Sequence, residues 1–105
     1  MFLQLYTGPD GVSRFKEADV KLGERPAKTV SYVKSPGGTD RGWITPGYSH
    51  YVFFMAGQTE IGAGDGTKHV FTAGDVLWID DLGGKGHSSR VLAGAERVSM
   101  HVTLG

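Results

Sequence analysis

The chain contains no cysteine. That excludes a disulfide framework and any thiolate zinc site. It leaves the compartment open, since secreted proteins can also lack cysteine. A charge excess of either sign is missing too: 11 Lys and Arg stand against 11 Asp and Glu, for a formal net charge of zero. With no basic stripe, nucleic acid is not an expected partner, and no acidic run marks a solvating tail. The four histidines are the side chains expected to titrate near neutrality, so the charge turns positive as pH falls. No apolar run approaches the roughly 20 residues of a membrane helix, and no membrane partner is expected. The stretch Met1 to Tyr6 is too short, and the residues after Tyr6 are too polar, for the apolar region of a signal peptide. A cytoplasmic location is the expectation. Helix signals are scarce as well. The one candidate, Ser13 to Val20, has an N-cap residue in Ser13 but little periodicity, and an extended segment or a single turn is expected there.

What the chain has in quantity is glycine, 17 residues scattered without a period. That pattern rules out collagen and low complexity and points to many tight turns between short strands. The length of 105 residues suits one domain, expected to span the whole of 1–105, and suffices for a core without staples. Alternating or β-rich runs fall at Thr29 to Val33, His50 to Ala56, Thr59 to Ala63, Thr67 to Phe71, Val76 to Ile79, Ser88 to Leu92 and Arg97 to Leu104. Between them lie Gly8-Pro9-Asp10-Gly11, Ser35 to Asp40, the two-residue hairpin signal Asp65-Gly66, and the Gly-rich stretch Leu82 to Gly86. Residues 42–49, with Trp43, Pro46 and Tyr48, read as a loop. About eight strands at roughly even spacing favour an all-β antiparallel sandwich or barrel.

The region from His50 to Val91 resembles the cupin family. Cupins carry a first motif that ends in Glu, six further residues and Gly at a hairpin; here His50 fills the Glu position and Gly57 the Gly. Their second motif opens on Gly-Asp and ends on His, as Gly74-Asp75 and His87 do, with Asp65-Gly66 as the central hairpin. The opening Leu5 to Gly11 and the block Asp80 to His87 look like a group of small single-domain bacterial cupins of the RmlC-like type. The resemblance implies a jelly roll, or double-stranded β-helix barrel, and a homodimer. The departures bear on function. The family's His-x-His pair is replaced by Trp43-Ile44-Thr45-Pro46. Asp80 stands where a Pro would begin the second motif's end, and the stretch is two residues longer. Only His50 and His87 remain at family metal positions, fewer than the three or more protein ligands a firm divalent site wants. His101, Glu60 or Asp80 could add a third. No tightly held native metal is expected, and a divalent ion at His50, His87 and His101 stays as the alternative.

His50 and His87 are the candidate catalytic residues, because imidazole moves protons near neutral pH. Each has a structural alternative: His50 as a polar residue opening a strand, His87 as a cap on neighbouring carbonyls. His101 reads equally as core or pocket, and His69 as solvent-facing beside its hairpin. Trp43, Tyr48, Phe54, Trp78, Lys85 and His101 are the candidate ligand-binding residues. Trp43 and Tyr48 suit a barrel mouth or a dimer edge, Trp78 and Phe54 suit core strands as well, and Lys85 is an anion hook or a solvated loop lysine. The adjacent Asp80 and Asp81 should point to opposite faces, which argues against a carboxylate dyad. The expected function is small-molecule binding inside the barrel, with metal-independent isomerase, lyase or dehydratase chemistry as its enzymatic form. A metal-dependent dioxygenase or isomerase and a non-catalytic dimer are the alternatives. The apolar terminus Phe2, Leu3, Leu5 and Tyr6 adds to the homodimer expectation, since a small barrel covers such a strand poorly alone.

Overall fold

The computed structural model describes all 105 residues. It is all-β, with ten strands and no helix: β1 (Phe2–Thr7), β2 (Ser13–Glu17), β3 (Ala27–Ser35), β4 (Asp40–Ile44), β5 (His50–Ala56), β6 (Thr59–Gly62), β7 (Lys68–Phe71), β8 (Val76–Asp80), β9 (His87–Val91) and β10 (Arg97–Leu104). They form two facing sheets, ordered β2-β1-β8-β5-β10-β3 and β4-β9-β6-β7. Every pairing is antiparallel except β1 with β8. This is a jelly-roll barrel, as the spacing of turns and short strands predicts.

The ten strands exceed the expected eight because two segments pair that carry weak local signals. Ser13 to Glu17 becomes β2, a hairpin partner of β1. Its turn is built by Asp10, whose carboxylate accepts from the Val12 amide at 3.2 Å and from the Arg14 guanidinium at 2.8 Å. The region read as a loop from residue 42 contains the end of β4 instead, which pairs with β9 from Asp40 to Ile44. Trp43 therefore lies on a strand, 54% exposed, with its indole N–H donating to the Lys85 carbonyl. The N-terminal strand is not left uncovered. β1 sits between β2 and β8, and Leu5 is fully buried.

The apolar core fills one part of the sandwich: Leu5, Val52, Phe54, Ile61, Phe71, Leu77 and Ile79 meet there, with Phe54 and Phe71 stacked at 5.1 Å. Burying each such side chain stabilises the fold by roughly 1.5–3 kcal/mol. The period-2 alternation of β5 and β8 sends Val52, Phe54, Leu77 and Ile79 inward. β10 does the reverse. Its Arg97 and Ser99 are buried while Met100, Val102 and Leu104 line a groove on the outer face of the six-stranded sheet. The sandwich interior thus changes from apolar to polar toward β10.

Two glycines are required where the site is built. Gly57 has φ +76°, and a Cβ there would stand 2.9 Å from the Arg97 Cα. Gly86 has φ +84°, and a Cβ there would overlap the Ile44 carbonyl oxygen. Both conformations favour glycine.

Candidate functional site: an interior cavity with a buried histidine–aspartate pair

Between the sheets lies a cavity of about 390 Å³. Its wall is made by inward positions of five strands: Ser31 and Val33 of β3, His50, Val52 and Phe54 of β5, Leu77 and Ile79 of β8, His87 and Ser89 of β9, and Arg97 and His101 of β10. Ile61 of β6 adds to the apolar part, and Arg41 with the segment from Ile44 to Tyr48 completes the lining. The outer-face groove is larger, about 880 Å³, but it gathers no histidine. Convergent polar groups over an apolar wall, rather than volume, mark the interior cavity as the candidate site.

His87 is 2% exposed, and its Nδ1 lies 2.7 Å from Oδ2 of Asp81, which is itself buried. A carboxylate only accepts, so Nδ1 carries the proton and donates it. Nε2 is then the nitrogen left for the cavity that the ring lines. The loop between β8 and β9 makes this pair possible. It turns at Gly83 and Gly86, both at positive φ, and brings Asp81 back onto the ring six residues later. Ser13 holds the loop from beneath: its Oγ donates to the Gly86 carbonyl at 2.7 Å and accepts from the Gly64 amide at 2.7 Å.

His50 opens β5, and its Nδ1 lies 3.1 Å from the Tyr48 carbonyl oxygen, so Nδ1–H donates there and Nε2 is left as the acceptor. Burial holds its pKa below the ordinary imidazole value, and the nearby His87 pushes the same way, against the Tyr48 bond. The Tyr48 ring sits 4.8 Å from His50. His101 stacks on His50 with centroids 5.5 Å apart, and its Nε2 is 3.0 Å from Ser99 Oγ. Burial lowers the His101 pKa to about 4, with His50, Arg97 and Arg41 adding repulsion. Both rings are therefore neutral bases at neutral pH.

Of the residues singled out from sequence, the cavity brings together His50, His87, His101, Tyr48 and Phe54. Phe54 is part of its apolar floor, and Tyr48 is 58% exposed at its edge. Trp78 faces the outer groove instead, stacked on Tyr51 with its indole N–H donating to Ser49 Oγ at 2.8 Å. Trp43 and Lys85 meet each other outside the cavity. His69 is half-buried rather than solvent-facing, edge-on to Phe15 at 4.8 Å.

Asp80 and Asp81 do diverge, as strand alternation predicts. Asp80 accepts from Gln4 Nε2 at 3.1 Å, while Asp81 turns to His87. Sequence reasoning weighed the two carboxylates against each other and so missed the partner of the second. It also missed Arg97, Ser99 and Arg41. The signal for the first two was the alternation Arg97, Ser99, His101 on one face of β10.

The donors do not fit a three-ligand metal centre. No group of three or more His, Asp or Glu side chains is placed to hold an ion. Of the three candidate third ligands, Glu60 is engaged by Arg90 at 3.2 Å and Asp80 by Gln4, while His101 does lie beside His50 but has its Nε2 at 3.0 Å from Ser99 Oγ. His87 has one nitrogen committed to Asp81.

The fold is cupin-like. Among solved structures, a cupin domain from Bordetella pertussis Tohama I superposes with a TM-score of 0.54 at 15% identity, over 79% of this chain and 98% of that one. Protein NMB1881 from Neisseria meningitidis gives a TM-score of 0.54 at 18% identity, over 84% of this chain and 90% of that one. No protein-family model and no curated protein sequence matches the chain.

Proposed function

We propose that the chain is a small-molecule-binding barrel whose cavity histidines carry out metal-independent proton transfer, as an isomerase, lyase or dehydratase would. The observation that carries this reading is the Asp81–His87 pair, buried and hydrogen-bonded at 2.7 Å beside the cavity. A carboxylate behind an imidazole fixes its tautomer and stabilises the imidazolium that forms when Nε2 takes a proton. His50 supplies a second Nε2, with its own Nδ1–H held by the Tyr48 carbonyl. His87 Nε2 can take the proton from one atom of a substrate and, as the imidazolium held by Asp81, return the same proton to another atom, while His50 Nε2 accepts a hydrogen bond from the substrate; that is the minimum machinery of an isomerisation or elimination. The apolar floor at Phe54, Ile61 and Leu77 lowers the local dielectric and strengthens both roles.

The test tracks ring nitrogens rather than a guessed reaction. Histidine-labelled protein is titrated with a small-molecule fragment set and its imidazole resonances are recorded. Ligands of the cavity should move His50, His87 and His101 together and leave His69 unmoved. A set that moves none of the three, or moves only His69, would overturn the reading. The non-catalytic dimer stays as a second reading, favoured by the apolar groove on the outer face with Phe2, Tyr51, Phe53 and Met100 in it.

A further inference from the structure

Arg97 is 4% exposed, yet its side chain makes no ion pair, and Nε is a buried donor with no partner. Buried guanidinium groups are almost always paired, because an uncompensated charge away from water is costly. Here the group lines the cavity. The one other arginine in that lining is Arg41, a like charge close enough to oppose it. No Asp or Glu lines the cavity at all. The one buried carboxylate beside it, Asp81, is engaged by His87. The interior end at β10 therefore holds positive charge with nothing in the chain to answer it.

We infer that this end of the cavity is an anion subsite, in which the buried Arg97, with the exposed Arg41 also in the lining, takes the carboxylate of a small organic acid. The inference rests on the small-molecule reading above and names the ligand class. A guanidinium presents a planar fork that matches a carboxylate with two parallel hydrogen bonds. The cavity of about 390 Å³ is at the small end of ligand pockets, which suits a simple organic acid over a nucleotide. Anchoring the acid at Arg97 leaves the remainder of the molecule for the side of the cavity where His50 and His101 lie stacked. A carboxylate placed there also offsets the mutual repulsion of the two arginines, so binding relieves a cost already present in the free protein.

The experiment measures binding of acetate, benzoate, succinate and inorganic phosphate, with acetamide and benzamide as uncharged matches, by the imidazole resonances and by thermal shift. Wild type is compared with Arg97→Gln, Arg41→Gln and Arg97→Met. The expected result is that carboxylates bind better than amides and that Arg97→Gln weakens them by about tenfold to a hundredfold. Amide binding should be unchanged by the same substitution. Arg97→Met tests the idea without any ligand: removing an unanswered buried charge should raise the melting temperature of the free protein. Phosphate binding better than every carboxylate would overturn the carboxylate assignment. Amides binding as well as acids, with no effect of Arg97→Gln, would overturn the anion subsite and leave the small-molecule reading intact. Failure of every probe would overturn both. A lowered melting temperature in Arg97→Met would identify a structural arginine and also overturn the inference.

Discussion

Replacing His87 by alanine should be among the most damaging single changes in the molecule. The ring and the Asp81 carboxylate are 2% and 0% exposed, and they lie 2.7 Å apart. Oδ1 of Asp81 has no partner, so His87 is the only side chain that answers this carboxylate. Deleting it strands a charge in the interior, which costs about 3–5 kcal/mol. In a domain near this size, each kcal/mol shifts the midpoint by roughly 4–8 °C, so His87→Ala should melt at least ~12 °C lower. Asp81→Asn should cost less, about 1–2 kcal/mol, because the amide oxygen still accepts from Nδ1–H while no charge is left behind. The double variant Asp81→Ala with His87→Ala should be less damaged than the sum of its singles, by about 2 kcal/mol. Urea unfolding followed by circular dichroism supplies all four free energies, provided the transition is two-state. Additive costs in the cycle, or a His87→Ala cost below about 1 kcal/mol, would refute the coupling and with it the role given to Asp81.

Stability should fall in acid through His101. Its pKa is about 4 in the fold against an ordinary 6.5, so the unfolded chain binds the proton first. The contribution is complete above about pH 6.5 and is lost as pH falls toward 4; discounted for the solvent that reaches the ring, it is about 1–2 kcal/mol. Denaturant midpoints of wild type and His101→Gln between these pH values should converge, and parallel curves would count against it. Gly86→Ala combines a left-handed backbone position with a collision against the Ile44 carbonyl and should cost about 2 kcal/mol or more; a melting temperature within a degree or so of wild type would contradict the geometry. A homodimer is expected from the apolar outer face, where Met100, Val102 and Leu104 stand beside Phe2 and Tyr51. Light scattering should give twice the chain mass and Val102→Glu a monomer, and a wild-type monomer at high concentration would remove the idea.

The strands with strong local signals were legible in the sequence. His50 to Ala56 is β-branched and aromatic, and Asp65-Gly66 marks the turn from β6 to β7, with the Gly66 amide bonded to the Ala63 carbonyl at 3.1 Å. Segments whose strand state comes from pairing were legible only in part. Ser13 to Glu17 is polar and short, and it becomes β2 only because β1 lies alongside it. Trp43 looked like a loop aromatic because Gly42 precedes it and Pro46 comes soon after. Yet Gly42 sits at positive φ, where the register of β4 on β9 shifts. Bulges of this kind are set by the partner strand, which local sequence does not reveal. His50, His87 and His101, singled out because their type is rare and their chemistry narrow, do line one cavity. Asp81 was visible as a residue but not as a partner, since the pairing depends on two glycine turns that fold the loop back.

β10 shows why binary patterning alone fails at such a site. Read by alternation, Val98, Met100, Val102 and Leu104 should face the core and Arg97, Ser99 and His101 the solvent. The fold does the opposite. A sandwich built only for stability would place the apolar row inside and leave no orphan donors. Of the three buried side-chain atoms without a partner, two belong to Asp81 and Arg97, beside or within the cavity. Local rules fail most at functional sites, where an interaction is held open for something that is not part of the chain. The apolar row is displaced to the outer face by the same choice, since alternation fixes both faces of a strand together. A polar interior and an adhesive exterior are thus two consequences of one register, and a variant that reversed it would lose both.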